Sequence, residues 1–236
     1  MGRTALRLLG AAMVLATAVA SGVAGAQGDA RAAALHSEGF RVIVSLERRR
    51  LWVVDRGDTL LAARVAVGKG TTLAYGGSAW SFDTPRGVRT VLAKERDPVW
   101  VAPDWSYIET AEREGLAVRW LAADRPVTLR DGRVLAMRDG AAGVVGLDGQ
   151  FRALPLDEHI VFDDALWIPP MGSRNRRVPG VLGAYRLVLG DGIGFHGTND
   201  PGSVGRKATH GCMRLDDADI AWLYEHVPVG TRVYIY

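Results

Sequence analysis

Gly194-Phe195-His196-Gly197-Thr198 is followed by a Gly- and Pro-rich loop and then by Thr209-His210-Gly211-Cys212-Met213-Arg214. Together these blocks hold the only cysteine of the 236 residues, two of the five histidines and an arginine. A cysteine becomes a strong nucleophile when its pKa is lowered or its proton is taken, and a histidine within hydrogen-bond reach does both. His196 and Cys212 are 212 − 196 = 16 residues apart, enough for a strand end, a loop and a return to the starting point. The chemistry this spacing suits is acyl transfer through a thioester. Cys212 attacks a carbonyl, and His196 takes the thiol proton and later serves the leaving amine or the incoming nucleophile. Backbone N–H groups of the His210-Gly211-Cys212 turn are candidate donors to the oxyanion, with Gly211 permitting an unusual backbone angle.

Two other readings of the same residues stand beside this one. A lone cysteine is commonly a small buried hydrophobe, but Cys212 follows a loop and a glycine, not a continuous apolar run. A zinc site from His196, His210 and Cys212 is disfavoured, because structural zinc takes four ligands in paired short spacings and this chain has no C-x-x-C or H-x-x-x-H pair. No metal and no cofactor is implied.

His196-Gly197-Thr198 with Thr209-His210-Gly211-Cys212-Met213-Arg214 resembles the signature of the L,D-transpeptidase catalytic domain (YkuD-type). The family more often has Ser where this chain has Thr209, which keeps the hydroxyl. Asp83-Thr84-Pro85-Arg86-Gly87 is similar to the family's T-P-x-G block, and Asp97-Pro98-Val99-Trp100 to its following Pro- and Trp-containing segment. The resemblance implies Cys212 as nucleophile and His196 as base, the latter oriented by the Gly197 carbonyl. It implies His210, Gly211 and Gly197 as backbone around the oxyanion, and Arg214 and Thr198 on the substrate side. Arg214 has the alternative of pairing with Asp216 or Asp217. The implied donor is a peptidoglycan tetrapeptide stem losing its terminal D-Ala, and the implied acceptor is a second stem's side-chain amine, giving a 3–3 cross-link. Water as acceptor would make an L,D-carboxypeptidase, a protein lysine a tethering enzyme, and a closed site a silent wall-binding module. A sortase is disfavoured because T-L-x-T-C is absent.

The elements that must position these residues read as follows. Residues 1–26 form a secretory signal: Arg3 and Arg7, an apolar Leu8 to Ala20, and the cleavage site Ala24-Gly25-Ala26. The apolar core is short for a spanning helix, which needs about 20 residues, so cleavage is favoured over the alternative of an uncleaved anchor, no membrane span is then expected to remain, and the protein is expected in the periplasm or cell envelope. Residues 27–40 are a mobile tether or a short helix. Of the +3 formal charge from 29 basic and 26 acidic residues, Arg3 and Arg7 lie in the leader, leaving 27 − 26 = +1. With no basic patch carrying interleaved aromatics, nucleic acid is not an expected partner.

From Arg41 onward, short β-rich runs separated by turn residues predict a mainly β domain over 41–236, closing as a sandwich or barrel. Arg48-Arg49-Arg50 reads as a solvated hairpin tip. Residues 106–166 predict an inserted α+β subdomain, with a helix capped by Ser106 or Thr110 that breaks near Gly115 and resumes through Trp120-Leu121. Short strands then turn at Asp131-Gly132 and Asp148-Gly149. Residues 168–180 are too rich in Pro, Gly and Arg for regular structure, and by the resemblance 171–180 line the cleft. Ala184 to Leu189 and Ile193 to His196 form a hairpin about Gly190-Asp191-Gly192. Asp216 or Asp217 caps a helix whose buried stripe is Ile220, Leu223, Tyr224 and Val227, and Thr231 to Tyr236 is the last strand.

Overall fold

The computed structural model describes residues 29–236. The expected secretory signal, residues 1–26, lies outside them. Among the described residues no helix is long and apolar enough to cross a membrane.

Two sheets share one core. The first has strand order Asp58–Arg64, Arg50–Asp55, Arg41–Ser45, Arg232–Ile235, Gly87–Thr90; the last strand of the chain lies parallel to Arg41–Ser45 and every other pairing is antiparallel. The second runs Met213–Arg214, Ile193–His196, Tyr185–Gly190, Ala93–Arg96. Val42, Val44, Leu51, Val53, Val233 and Ile235 from the first sheet meet Leu187, Leu189, Phe195 and Met213 from the second. This is face-to-face packing of period-two strands. The arrangement is a sandwich, and it does not close into a barrel.

The helix Asp217–His226 completes the core with Ile220, Leu223 and Val227, while Tyr224 is only partly buried. Asp216 occupies its N-cap position but makes no side-chain capping bond; its carboxylate lies 3.6 Å from Arg64. Residues 29–36 adopt the helical form of the two expected for the N-terminal stretch. This helix docks through Ala30 and Ala34, and Ser37 Oγ lies 2.6 Å from the Tyr234 hydroxyl.

The inserted segment has a helix, Asp104–Glu114, with Pro103 as N-cap residue; Gly115 stops it in the left-handed region at φ 68°. Neither Ser106 nor Thr110 caps it: both hydroxyls donate backward, to the carbonyls of Pro103 and Ser106. The chain does not return to helix at Trp120. Ala117–Trp120 is a strand parallel to Ala165–Ile168, because Val118 and Leu166 belong to the same apolar cluster. The meander is Val127–Thr128, Val134–Arg138, Ala141–Val145, Phe151–Ala153. It contains a turn at Asp139-Gly140 that the sequence reading lacked, with both residues at positive φ as a tight hairpin requires.

The neck of the insert is wider than 106–166, since Arg177–Val178 pairs with Trp100–Val101. The segment read as irregular therefore contains a 3-10 turn, Arg174–Arg176, and a short strand. Arg176 is 2% exposed; it donates to the carbonyls of Pro169 at 2.8 Å and Ala102 at 2.9 Å and to Asp104 at 2.6 Å. At the supposed solvated tip, Arg49 reaches back to the Gly205 carbonyl at 2.7 Å, tying the first sheet to the loop that precedes the cysteine.

Candidate active site

His196 ends the strand Ile193–His196, and Cys212 immediately precedes the strand Met213–Arg214. The parallel register sets Phe195 beside Met213 and His196 beside Arg214. Phe195 and Met213 point into the core, so alternation places Gly194, His196, Cys212 and Arg214 on the opposite face. His196 and Cys212 are diagonal neighbours there.

His196 is buried, and its Nδ1 donates to the Gly197 carbonyl at 2.6 Å. That bond fixes the proton on Nδ1 and leaves the lone pair on Nε2. Burial pushes its pKa down to about 4; the Gly197 bond opposes this, and the nearby Arg214 and Arg186 guanidiniums add to it. Burial likewise pushes the Cys212 thiol up, against a backbone hydrogen bond at Gly194 and the same two guanidiniums. At neutral pH both groups are therefore uncharged. The thiol donates to the Gly192 carbonyl at 3.2 Å, not to His196.

Gly211 has φ +125°, a conformation a side chain rarely adopts, and this turns the chain sharply before the cysteine. Its carbonyl accepts from Thr84 Oγ1 at 2.9 Å, and the same hydroxyl accepts from the Gly68 N–H at 2.8 Å. Thr84, the threonine of the T-P-x-G block, thus supports the loop that carries Cys212, a role the sequence reading did not give it. Thr209 Oγ1 donates to the Cys212 carbonyl at 2.5 Å and accepts from the Gly211 N–H at 3.3 Å.

Two expected oxyanion donors are thereby engaged: Gly211 N–H with Thr209, and Gly197 N–H with the Tyr185 carbonyl at 3.3 Å. The N–H groups of Cys212 and His210 have no such bond among the described residues. Thr198 is buried, and its hydroxyl accepts from the Asp200 N–H at 2.9 Å, closing its own turn.

His210 faces the insert. Its ring stacks on Trp105 at 4.0 Å and 21° and meets Phe82 edge-on at 4.5 Å. Nε2 donates to Glu109 at 2.7 Å and lies 3.1 Å from Lys69 Nζ, which also holds the Glu109 carboxylate. Burial lowers the His210 pKa and Glu109 opposes it. With Nε2 committed, His210 is a fixed wall of the turn. No pattern in the sequence links Glu109, Lys69 and Trp105 to His210.

Arg214 donates to Ser203 Oγ at 3.0 Å and lies 3.9 Å from Asp200; it pairs with neither Asp216 nor Asp217. Among the described residues, no group of three or more His, Cys, Asp or Glu is arranged to hold a metal ion.

The family model described as the L,D-transpeptidase catalytic domain (YkuD) matches residues 39–235. The chain belongs to that family. L,D-transpeptidases similar to it include the probable enzyme ErfK/SrfK of Salmonella typhimurium, 33% identical over 87 residues, which are 31% of this chain and 28% of that protein. Another is the putative enzyme YkuD of Bacillus subtilis, 44% identical over 64 residues, 27% of this chain and 39% of that one. The chain therefore matches well under half the length of these curated relatives. Among solved structures, an L,D-transpeptidase from Xylanimonas cellulosilytica aligns with TM-score 0.44 and 18% identity, covering 85% of this chain and 61% of that one.

Proposed function

We propose that this chain is an exported peptidoglycan L,D-transpeptidase with Cys212 as nucleophile and His196 as general base. The observation that carries the proposal is the placement of His196, whose Nδ1 donates to the Gly197 carbonyl, so that Nε2 is free to accept, and which shares a face with Cys212 as its diagonal neighbour. The thiol turns from the Gly192 carbonyl toward Nε2 and gives up its proton as sulfur attacks the donor carbonyl. The oxyanion is met by the backbone N–H of Cys212, aided by that of His210. The C–N bond to the terminal D-Ala breaks, His196 returns the proton to the leaving amine, and a thioester remains. A side-chain amine of a second stem then attacks the thioester, loses its proton through His196, forms the 3–3 link and regenerates the thiol.

Arg214, close to both reacting residues, supplies a guanidinium for a stem carboxylate. The leader read in the sequence supports action in the envelope, where stem peptides are found.

The test is incubation of purified protein with tetrapeptide stems, followed by mass analysis. Dimeric stems and released D-Ala are expected from the wild type and neither from Cys212→Ala. Release of D-Ala without dimers overturns transpeptidation in favour of hydrolysis, and turnover that survives in Cys212→Ala overturns the acyl-enzyme.

A further inference from the structure

Arg186 belongs to no motif, yet it lies directly beside the reacting histidine. It pairs with His196 across the antiparallel hairpin, and His196 pairs with Arg214 on its other side. Leu187 and Leu189 point into the core, so Arg186 shares the outer face with His196, Cys212 and Arg214. Three adjacent strands thus carry an Arg186, His196, Arg214 row with the thiol alongside.

Both guanidiniums are incompletely satisfied. The Nε atoms of Arg186 and Arg214 are buried and have no hydrogen-bond partner among the described residues. Arg186 otherwise has Glu95 at 3.4 Å, on the outer strand, with the Glu95 side chain 43% exposed. Arg214 has Ser203 and the more distant Asp200.

Gly194 lies on the strand between them. A Cβ placed there would lie 2.5 Å from the Leu187 carbonyl and 3.5 Å from Arg186 Nε, so only glycine fits and the Arg186 guanidinium packs against it, beside the strand that carries the thiol. Buried donors without acceptors are costly. Two guanidiniums with unmet donors on the face shared by the thiol and the imidazole favour an anion there, and a planar guanidinium fork matches a carboxylate.

We propose that Arg186 is a second carboxylate-binding residue of the site, acting with Arg214 as a clamp astride Cys212 and His196. The ligand is an acyl donor bearing a free carboxylate close to the carbonyl that Cys212 attacks. This deepens the thioester reading by naming the donor's charge, and it is tested without peptidoglycan.

Cys212 is alkylated with iodoacetate and, separately, with iodoacetamide, two reagents of similar size differing in charge, and each rate is read by intact mass. The ratio of the two rates cancels the thiolate fraction. Arg186→Gln is expected to lower the iodoacetate-to-iodoacetamide ratio about tenfold, the scale of one charge-assisted hydrogen bond, and Arg186→Lys to lower it less. An unchanged ratio in folded Arg186→Gln overturns the clamp. Should that variant not fold, Glu95→Gln decides: freeing Arg186 is expected to raise the ratio, and no rise overturns the clamp. A shifted ratio without stem turnover would leave the clamp standing while the transpeptidase reading failed; turnover with a ratio indifferent to Arg186 would do the reverse.

Discussion

At the scale of single residues, the site is held in an uncharged resting state by burial. The His196 pKa of about 4 is far below the ordinary 6.5, so between those values the unfolded chain binds more protons than the folded one. Stability from this residue is therefore complete above about pH 6.5 and is lost as pH falls toward 4, by about 3 kcal/mol. Urea midpoints at pH 7 and pH 4 check this: the wild type should lose more stability on acidification than His196→Gln, and equal losses would show that His196 is not buried neutral. The same neutrality fits a general base, since Nε2 stays available well below neutral pH. In the proposed reaction, the raised thiol pKa makes proton transfer part of the attack and not something completed beforehand.

At the scale of elements, the loop that carries Cys212 is pinned from three sides. Thr209 closes it internally, Thr84 holds it from the first sheet's connection, and the insert helix Asp104–Glu114 holds it through Glu109 and Trp105. Burial acts to raise the Glu109 pKa, but hydrogen bonds from Lys69 and His210 outweigh it and hold the carboxyl below its usual range. Glu109 is thus a positioning residue, acting on Cys212 only through His210 and the turn. Glu109→Gln is expected to cost about 1–3 kcal/mol in chemical denaturation. A double-mutant cycle with Lys69→Met should show a coupling of at least about 0.5 kcal/mol; additive losses would mean that the pair is a solvated contact.

For the whole molecule, the sandwich fixes the strands and the insert fixes the loop that the strands carry. The junction between them depends on Arg176, whose guanidinium bridges the Pro169 and Ala102 carbonyls and Asp104 across the neck. Arg176→Met leaves these acceptors unmet and is expected to destabilise by about 2–5 kcal/mol. Thermal unfolding measures the loss, and limited proteolysis should cut first within 100–178. An unaltered melting temperature would show that the neck holds without it.

The sequence by itself determined the chemistry-bearing blocks, the hairpin that ends in His196, the C-terminal helix stripe and the β-rich class. Each of these is local: alternation, turn residues and spacing act within a few residues of one another. Arg186 was within reach of the same logic, since it and His196 are equidistant from Asp191 in the predicted turn, but alternation alone does not show that a guanidinium lacks partners. Tertiary structure decided what depends on distant segments meeting. Thr84 is bonded to Gly211 across 127 positions and Glu109 to His210 across 101, and neither pairing leaves a periodic trace. Burial also decided the charge state of His196 and Cys212, because a pKa responds to the water excluded by the whole fold and not to the residues on either side.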